Sequence, residues 1–194
     1  MAAAPALARM TFAEYLATEE AAPVKREWVN GEVFAMSGGT VLHGALAGEV
    51  YDALKSGLRG KLCRPFNSDV RVRVVETGLA AYPDVSVVCG PIERDLEDHE
   101  GIVNPSVLVE VLSPTTERWD RGGKWQHYRR IPSLRHHLFV EPERRRIEVF
   151  TRQDDGTWNL RDLGPGDRID LPAIGLSLDL DALYSAAEAA VGGV

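Results

Sequence analysis

The sequence predicts a mixed α/β (α+β) domain, with a mixed central β-sheet flanked by helices. Three observations carry this. Helical and strand-type apolar periods alternate along the chain. One segment, Ser106 to Leu112, is apolar on both strand faces, so it belongs inside a sheet covered from each side. No internal repeat, low-complexity tract or linker divides the 194 residues, so residues 1–194 are expected to form a single domain with its core at about 11–183.

Thr11 followed by Glu14 is a capping box opening a short helix through about Glu19. Arg26 to Met36 is a hairpin, because Asn30-Gly31 tolerates the positive φ of a type I′ turn. Thr40 caps a helix whose Leu42, Leu46, Val50 and Leu54 recur every four positions. Asp69 to Val75 alternates as a strand, with Arg71 and Arg73 opposite the valines, and Glu76-Thr77-Gly78 turns the chain. Tyr82 to Cys89 is the next strand. Gly90 to Asn104 is acidic and irregular and is expected to be an exposed loop. A helix should cover about Arg118 to Arg130, ended by Ile131-Pro132. His136 to Val140 and Arg146 to Thr151 form a strand pair, a short strand follows Asp154-Asp155-Gly156, and Leu180 to Ala190 is a helix.

Composition narrows the function. The apolar fraction is that of a globular protein, and no apolar stretch nears the ~18 residues of a membrane span. The first ten residues lack the charged start and long apolar run of a signal peptide. Cys63 and Cys89 show no metal-ligand spacing and suggest no disulfide framework, so a cytoplasmic, reducing setting is expected. The net charge of −7 argues against a tight, non-specific nucleic-acid binder. Arginines nevertheless concentrate between Arg118 and Arg146, a local basic patch or simply a solvated surface.

Glu110 is the most informative residue. It interrupts an apolar, two-faced strand, and a buried carboxylate there needs a cation or an arginine. Asp84 interrupts the preceding strand just after Pro83, where strand pairing starts or breaks. If the two strands are neighbours, the acids lie side by side and repel unless a divalent ion sits between them. Oxygen ligands suit Mg²⁺ or Mn²⁺. The competing explanations are an ion-paired glutamate and a strand-end aspartate. Lys124 shares a helix face with Tyr128, and that helix begins soon after the Glu110 strand. Ser113 has no nucleophile elbow around it. His136 and His137 point to opposite strand faces and do not ligate together. Gly38-Gly39 and Gly122-Gly123 lack the rest of a phosphate loop.

Pro83-Asp84, Glu110 and Lys124, in that order, resemble the PD-(D/E)XK nuclease signature. More closely, the chain resembles the Uma-two family of restriction endonucleases. The segments concerned are Glu27 to Glu32, His43, Tyr82 to Val85, Val109 to Thr116, Asp120 to Tyr128 and Arg129 to Leu134, within a span from about Thr11 to Leu183. The resemblance implies a restriction-endonuclease-like fold and Mg²⁺-dependent phosphodiester hydrolysis. It places Asp84 and Glu110 as metal ligands and, with Lys124, as the catalytic set. Leu112 stands where the plain motif has its lysine, so Lys124 would supply that amine from the following helix. Glu49, His43, Glu27 and Tyr128 are accessory candidates, each with an ordinary capping or solvated reading beside it. Arg118, Arg121, Arg129 and Arg130 are candidates for the nucleic-acid backbone. The expected partner is nucleic acid, DNA above all, with a homodimer as the expected assembly and no membrane. The alternative is an inactive nuclease-fold module that binds nucleic acid or protein. Lys124 turned away from both acids would favour it. An unrelated hydrolase with coincidental acids is the remaining reading.

Overall fold

A computed structural model describes residues 8–36 and 38–192. The expectation about a signal peptide falls mainly on residues 1–7, outside that range. In chain order the strands and helices are β1 (Ala8–Arg9), α1 (Phe12–Glu19), β2 (Arg26–Val29), β3 (Glu32–Ala35), α2 (Val41–Gly57), β4 (Cys63–Asn67), β5 (Val72–Val74), β6 (Leu79–Ala81), β7 (Val85–Cys89) and β8 (Val107–Val111). Then come α3 (Glu117–Trp119), a π-helical turn (Asp120–Lys124), α4 (Trp125–Tyr128), β9 (His136–Glu141), β10 (Arg146–Arg152), β11 (Trp158–Leu163), β12 (Arg168–Leu171), β13 (Leu176–Asp179) and α5 (Leu180–Ala190).

Local chemistry sets several of these as expected. Thr11 accepts from the Glu14 backbone while the Glu14 carboxylate accepts from Thr11 N, the reciprocal capping box. Asn30 and Gly31 take φ values of 48° and 92°, joining β2 to β3 by the tight turn. The Thr40 side chain accepts from His43 N and opens α2.

The fold class stands, but the strands divide between sheets. A six-stranded sheet runs β11-β10-β9-β8-β7-β4 and is mixed, since β8 and β9 are parallel and the other pairs antiparallel. A second, antiparallel sheet runs β1-β3-β2-β6-β5, and β12 pairs with β13 alone. β8 lies inside the larger sheet. Its Val107, Val109 and Val111 meet Leu46, Val50 and Leu54 of α2 and the apolar face of α5. Its opposite face, at Leu108, packs with Tyr128, Ile131 and Leu134. The central strand is buried on both sides, which is why it reads as a continuous apolar run.

Three expectations change. First, the strand expected over Asp69 to Val75 is confined to Val72–Val74, and that expected over Tyr82 to Cys89 begins at Val85, the latter because Pro83 removes a ladder donor and the backbone leaves the sheet between Ala81 and Val85. Second, Cys63 and Cys89 are joined in a disulfide. They face each other directly across the β4–β7 ladder, a pairing hidden as long as β4 is unrecognised. Third, the loop from Gly90 to Asn104 is irregular but not simply exposed. Asp95 and Asp98 are buried, paired with Arg73 (2.9 Å) and Arg71 (2.5 Å). Both guanidinium groups also lie against aromatic rings, Arg73 over Phe12 and Arg71 between Tyr15 and Tyr82. The loop is thus pinned to the second sheet. Breaking a buried pair leaves an uncompensated charge, so Asp98→Ala should destabilise by about 3 kcal/mol, read as a lower urea midpoint. An unchanged midpoint would show that Arg71 finds another partner.

Candidate active site

The β7–β8 register pairs Val85 with Val109, so one step further Asp84 lies opposite Glu110 at the end of the ladder. Directly opposed residues share a sheet face. The two acids expected to be neighbours are therefore neighbours. Asp84 stands at the rim, its side chain 16% exposed, and its Oδ2 accepts from Val111 N at 2.7 Å. His43, in the first turn of α2, places Nε2 3.6 Å from the same oxygen.

Glu110 is buried. Its Oε1 accepts from the Tyr128 hydroxyl at 2.9 Å and lies 3.4 Å from Lys124 Nζ. Lys124 also reaches Glu27 Oε1 at 2.8 Å and Asp120 Oδ1 at 3.1 Å. A single buried ammonium is thus ringed by three carboxylates, with Asp84 close by. Burial pushes the Glu110 carboxyl well above its ordinary range; Lys124 opposes this, and Asp120, Asp84 and Glu27 add to it. Asp84 is raised mainly by burial, against the pull of His43 and the Val111 N–H. Lys124 is held protonated by the acids despite the cost of burying its charge. Tyr128 is raised by burial first and by Glu110 second.

The π-helical turn explains how Lys124 arrives here. Such turns shift the side chains that follow and recur at functional sites. Within it, a Cβ on Gly123 would fall 1.7 Å from the Trp119 ring. The glycine lets Trp119 lie over the turn and donate from Nε1 to Glu27 Oε2 at 3.3 Å. Gly123 is therefore a packing residue.

The structure sorts the sequence candidates. Asp84, Glu110, Lys124, Glu27, Tyr128 and His43 come together. Glu49 sits about 9 Å further along α2, half-buried, and makes no ion pair with this group among the described residues. Arg121 is committed to Glu117, Glu141 and Glu148. Arg130 pairs with Glu76. Arg118 and Arg129 are exposed. Asp120 was not anticipated, although an acid four residues before a lysine on one helix is a readable pair. Beside His43 a cleft of about 550 Å³ opens between the start of α2 and the β9–β10 turn, walled by Ser113, Arg121, Glu141, Arg146 and Glu148.

The donor set fits a hard divalent cation. No hydrogen bond or ion pair among the described residues takes up Asp84 Oδ1 or Glu110 Oε2, so each acid keeps one oxygen. Among the described residues no three His, Cys, Asp or Glu side chains converge as a complete metal cage.

The site is thus an acid pair at a strand end with a lysine from the following helical turn, on a mixed sheet between helical layers. The chain belongs to the Uma2 family, described as "Putative restriction endonuclease", whose model matches residues 12–181. It is 37% identical over 171 residues to an uncharacterized protein of Synechocystis sp., covering 88% of this chain and 89% of that protein. A second Synechocystis protein, also uncharacterized, is 30% identical over 154 residues, covering 79% and 87%. The fold matches the crystal structure of a "putative nuclease belonging to DUF820" from Anabaena variabilis, with a TM-score of 0.73, 19% identity, and coverage of 92% of this chain and 99% of that one. Among the described residues no helix is long and apolar enough to cross a membrane.

Proposed function

We propose that this protein is a metal-dependent endonuclease that hydrolyses phosphodiester bonds of DNA. The observation that carries this reading is the charge imbalance at the sheet end. Three carboxylates, Glu110, Glu27 and Asp120, ring one ammonium with Asp84 close by, and Asp84 and Glu110 each keep one oxygen uncommitted. Asp84 and Glu110 would hold Mg²⁺ or Mn²⁺, which when bound supplies Lewis acidity to the phosphoryl group and lowers the pKa of water. Lys124, fixed by Glu27 and Asp120, presents a positive charge toward the negative charge that develops on the phosphoryl oxygens. Tyr128 orients Glu110 through its hydroxyl, and His43 steadies Asp84. Lys124 turned away from both acids would favour the non-catalytic alternative, and it instead lies 3.4 Å from Glu110. A homodimer fits an enzyme that cuts both strands of a duplex.

The test is a calorimetric titration of Mn²⁺ into the protein, Asp84→Ala and Glu110→Ala, repeated with a short duplex present. Binding by the parent and none by either variant is the expected result. A parent that binds no ion, with or without duplex, would overturn the metal-dependent reading.

A further inference from the structure

Most arginines in the second half of the chain are neutralised. Arg121, Arg130, Arg145, Arg146, Arg161 and Arg168 each pair with a carboxylate. Five others, Arg118, Arg129, Arg135, Arg144 and Arg152, form no ion pair among the described residues, and of these Arg129, Arg135 and Arg152 lie together. Arg152 N donates to Arg135 O at 2.9 Å, continuing the β9–β10 register in which Thr151 faces His136. Arg135 and Arg152 are therefore directly opposed across two strands, a like-charge placement that is unfavourable in a sheet. The Arg152 guanidinium donates to the carbonyls of Pro132 and Arg129, and it lies 4.7 Å from the ring centroid of Trp158, its partner on β11. The side chains of Arg129 and Arg135 are exposed.

We propose that Arg129, Arg135 and Arg152 form an anion-docking row that grips the phosphate backbone of duplex DNA; this rests on the nuclease reading. Three cations gathered without a counterion repel one another; two carbonyls and the Trp158 ring offset this for Arg152 alone, and a polyanion would offset it for all three. The row is also suitably placed. Residues 135, 137 and 139 share the sheet face of Glu110, and Glu110 is level with Phe139. Four residues of strand separate row and site along the sheet, roughly 13 Å. That corresponds to about four base pairs of duplex. Phosphate contacts from this row set position and register rather than sequence. Arg152 is held by two carbonyls and a tryptophan, and Arg129 and Arg135 are the exposed members.

The experiment compares the parent with an Arg129→Gln/Arg135→Gln double variant. Binding to a fluorescent short duplex is measured in EDTA over a salt series, and cleavage of the same duplex is measured with Mn²⁺. Arg152 is left intact to keep the chain path around Pro132. The double variant should bind roughly tenfold more weakly, and its log–log salt slope should fall by about two. Its thermal midpoint should match or exceed the parent's, since opposed like charges are removed. A parent that cleaves, with a double variant of unchanged affinity and slope, would overturn the docking row and leave the nuclease reading standing. A parent that neither binds nor cleaves duplex would overturn both.

Discussion

Glu110→Gln should abolish divalent-ion-dependent cleavage and leave the protein at least as stable as the parent. The two effects share one cause. Glu110 is an ionisable group on a strand buried on both faces, and burial drives its carboxyl upward because the charged form is disfavoured there. The ionised form of Glu110 is therefore costly to the fold. The amide is nearly isosteric, still accepts from the Tyr128 hydroxyl, and carries no charge to bury. Lys124 keeps Glu27 and Asp120 at 2.8 and 3.1 Å. In the proposed reaction the same change removes a metal ligand, and cleavage should drop on the order of 10³-fold or more, comparable to losing a main electrostatic group. Urea unfolding and a plasmid-nicking assay on one preparation measure both. A clearly lower midpoint would show that the ionised carboxylate is structural, as one arm of a buried ion pair. Retained cleavage would remove Glu110 from the mechanism. Stability gained where activity is lost is the mark of a group kept for chemistry.

What was legible in the sequence follows from how local each signal is. The caps at Thr11 and Thr40 and the Asn30-Gly31 turn depend on residues two to four apart, and all stand in the structure. Glu110 and Asp84 were legible because each breaks an apolar strand, and a neighbouring ladder was enough to bring them together. β4, by contrast, reads Cys-Arg-Pro-Phe-Asn, without a clean alternation, and is a strand only because β7 offers it a ladder. Missing β4 hid the Cys63–Cys89 disulfide. Asp95 and Asp98 looked like solvated loop acids, since nothing nearby in sequence says that Arg71 and Arg73 turn toward them. Two of the phosphate-contact candidates, Arg121 and Arg130, are ion-paired for the same reason. Arg121 lies in a basic segment, but three acids from α3, β9 and β10 close around it, while the uncompensated row joins residues from three separate segments. Pairing of charges across the fold is a tertiary property, and composition along the chain does not carry it.

The protein should also lose stability steeply in mild acid, through histidines rather than through the site. His136 and His137 are fully buried on opposite faces of β9. His136 Nε2 accepts from Ala173 N and its Nδ1 meets Thr151 Oγ1. His137 is stacked on Trp125 and edged by Phe139, and neither of its ring nitrogens has a hydrogen-bond partner. Burial lowers His136 to about 4 and His137 to about 3, the latter helped by the charge of Lys124. A base whose folded pKa is depressed stays neutral in the native state while the unfolded chain takes up a proton. Its contribution is thus intact above the unfolded pKa of about 6.5 and is lost as pH falls toward the folded value. At pH 4.5 the two histidines together should cost roughly 5 kcal/mol relative to pH 7. Asp84 and Glu110, both raised, work the other way over part of this range, because their native forms gain protons first. His137→Phe isolates the effect. It keeps the ring packing, breaks no hydrogen bond, and should lose roughly 2–3 kcal/mol less than the parent between pH 7 and 4.5. Parallel pH profiles for parent and variant, from urea midpoints, would mean that His137 already meets water or a proton in the native state, and the sealed aromatic box between α4, β9 and β10 would have to be abandoned.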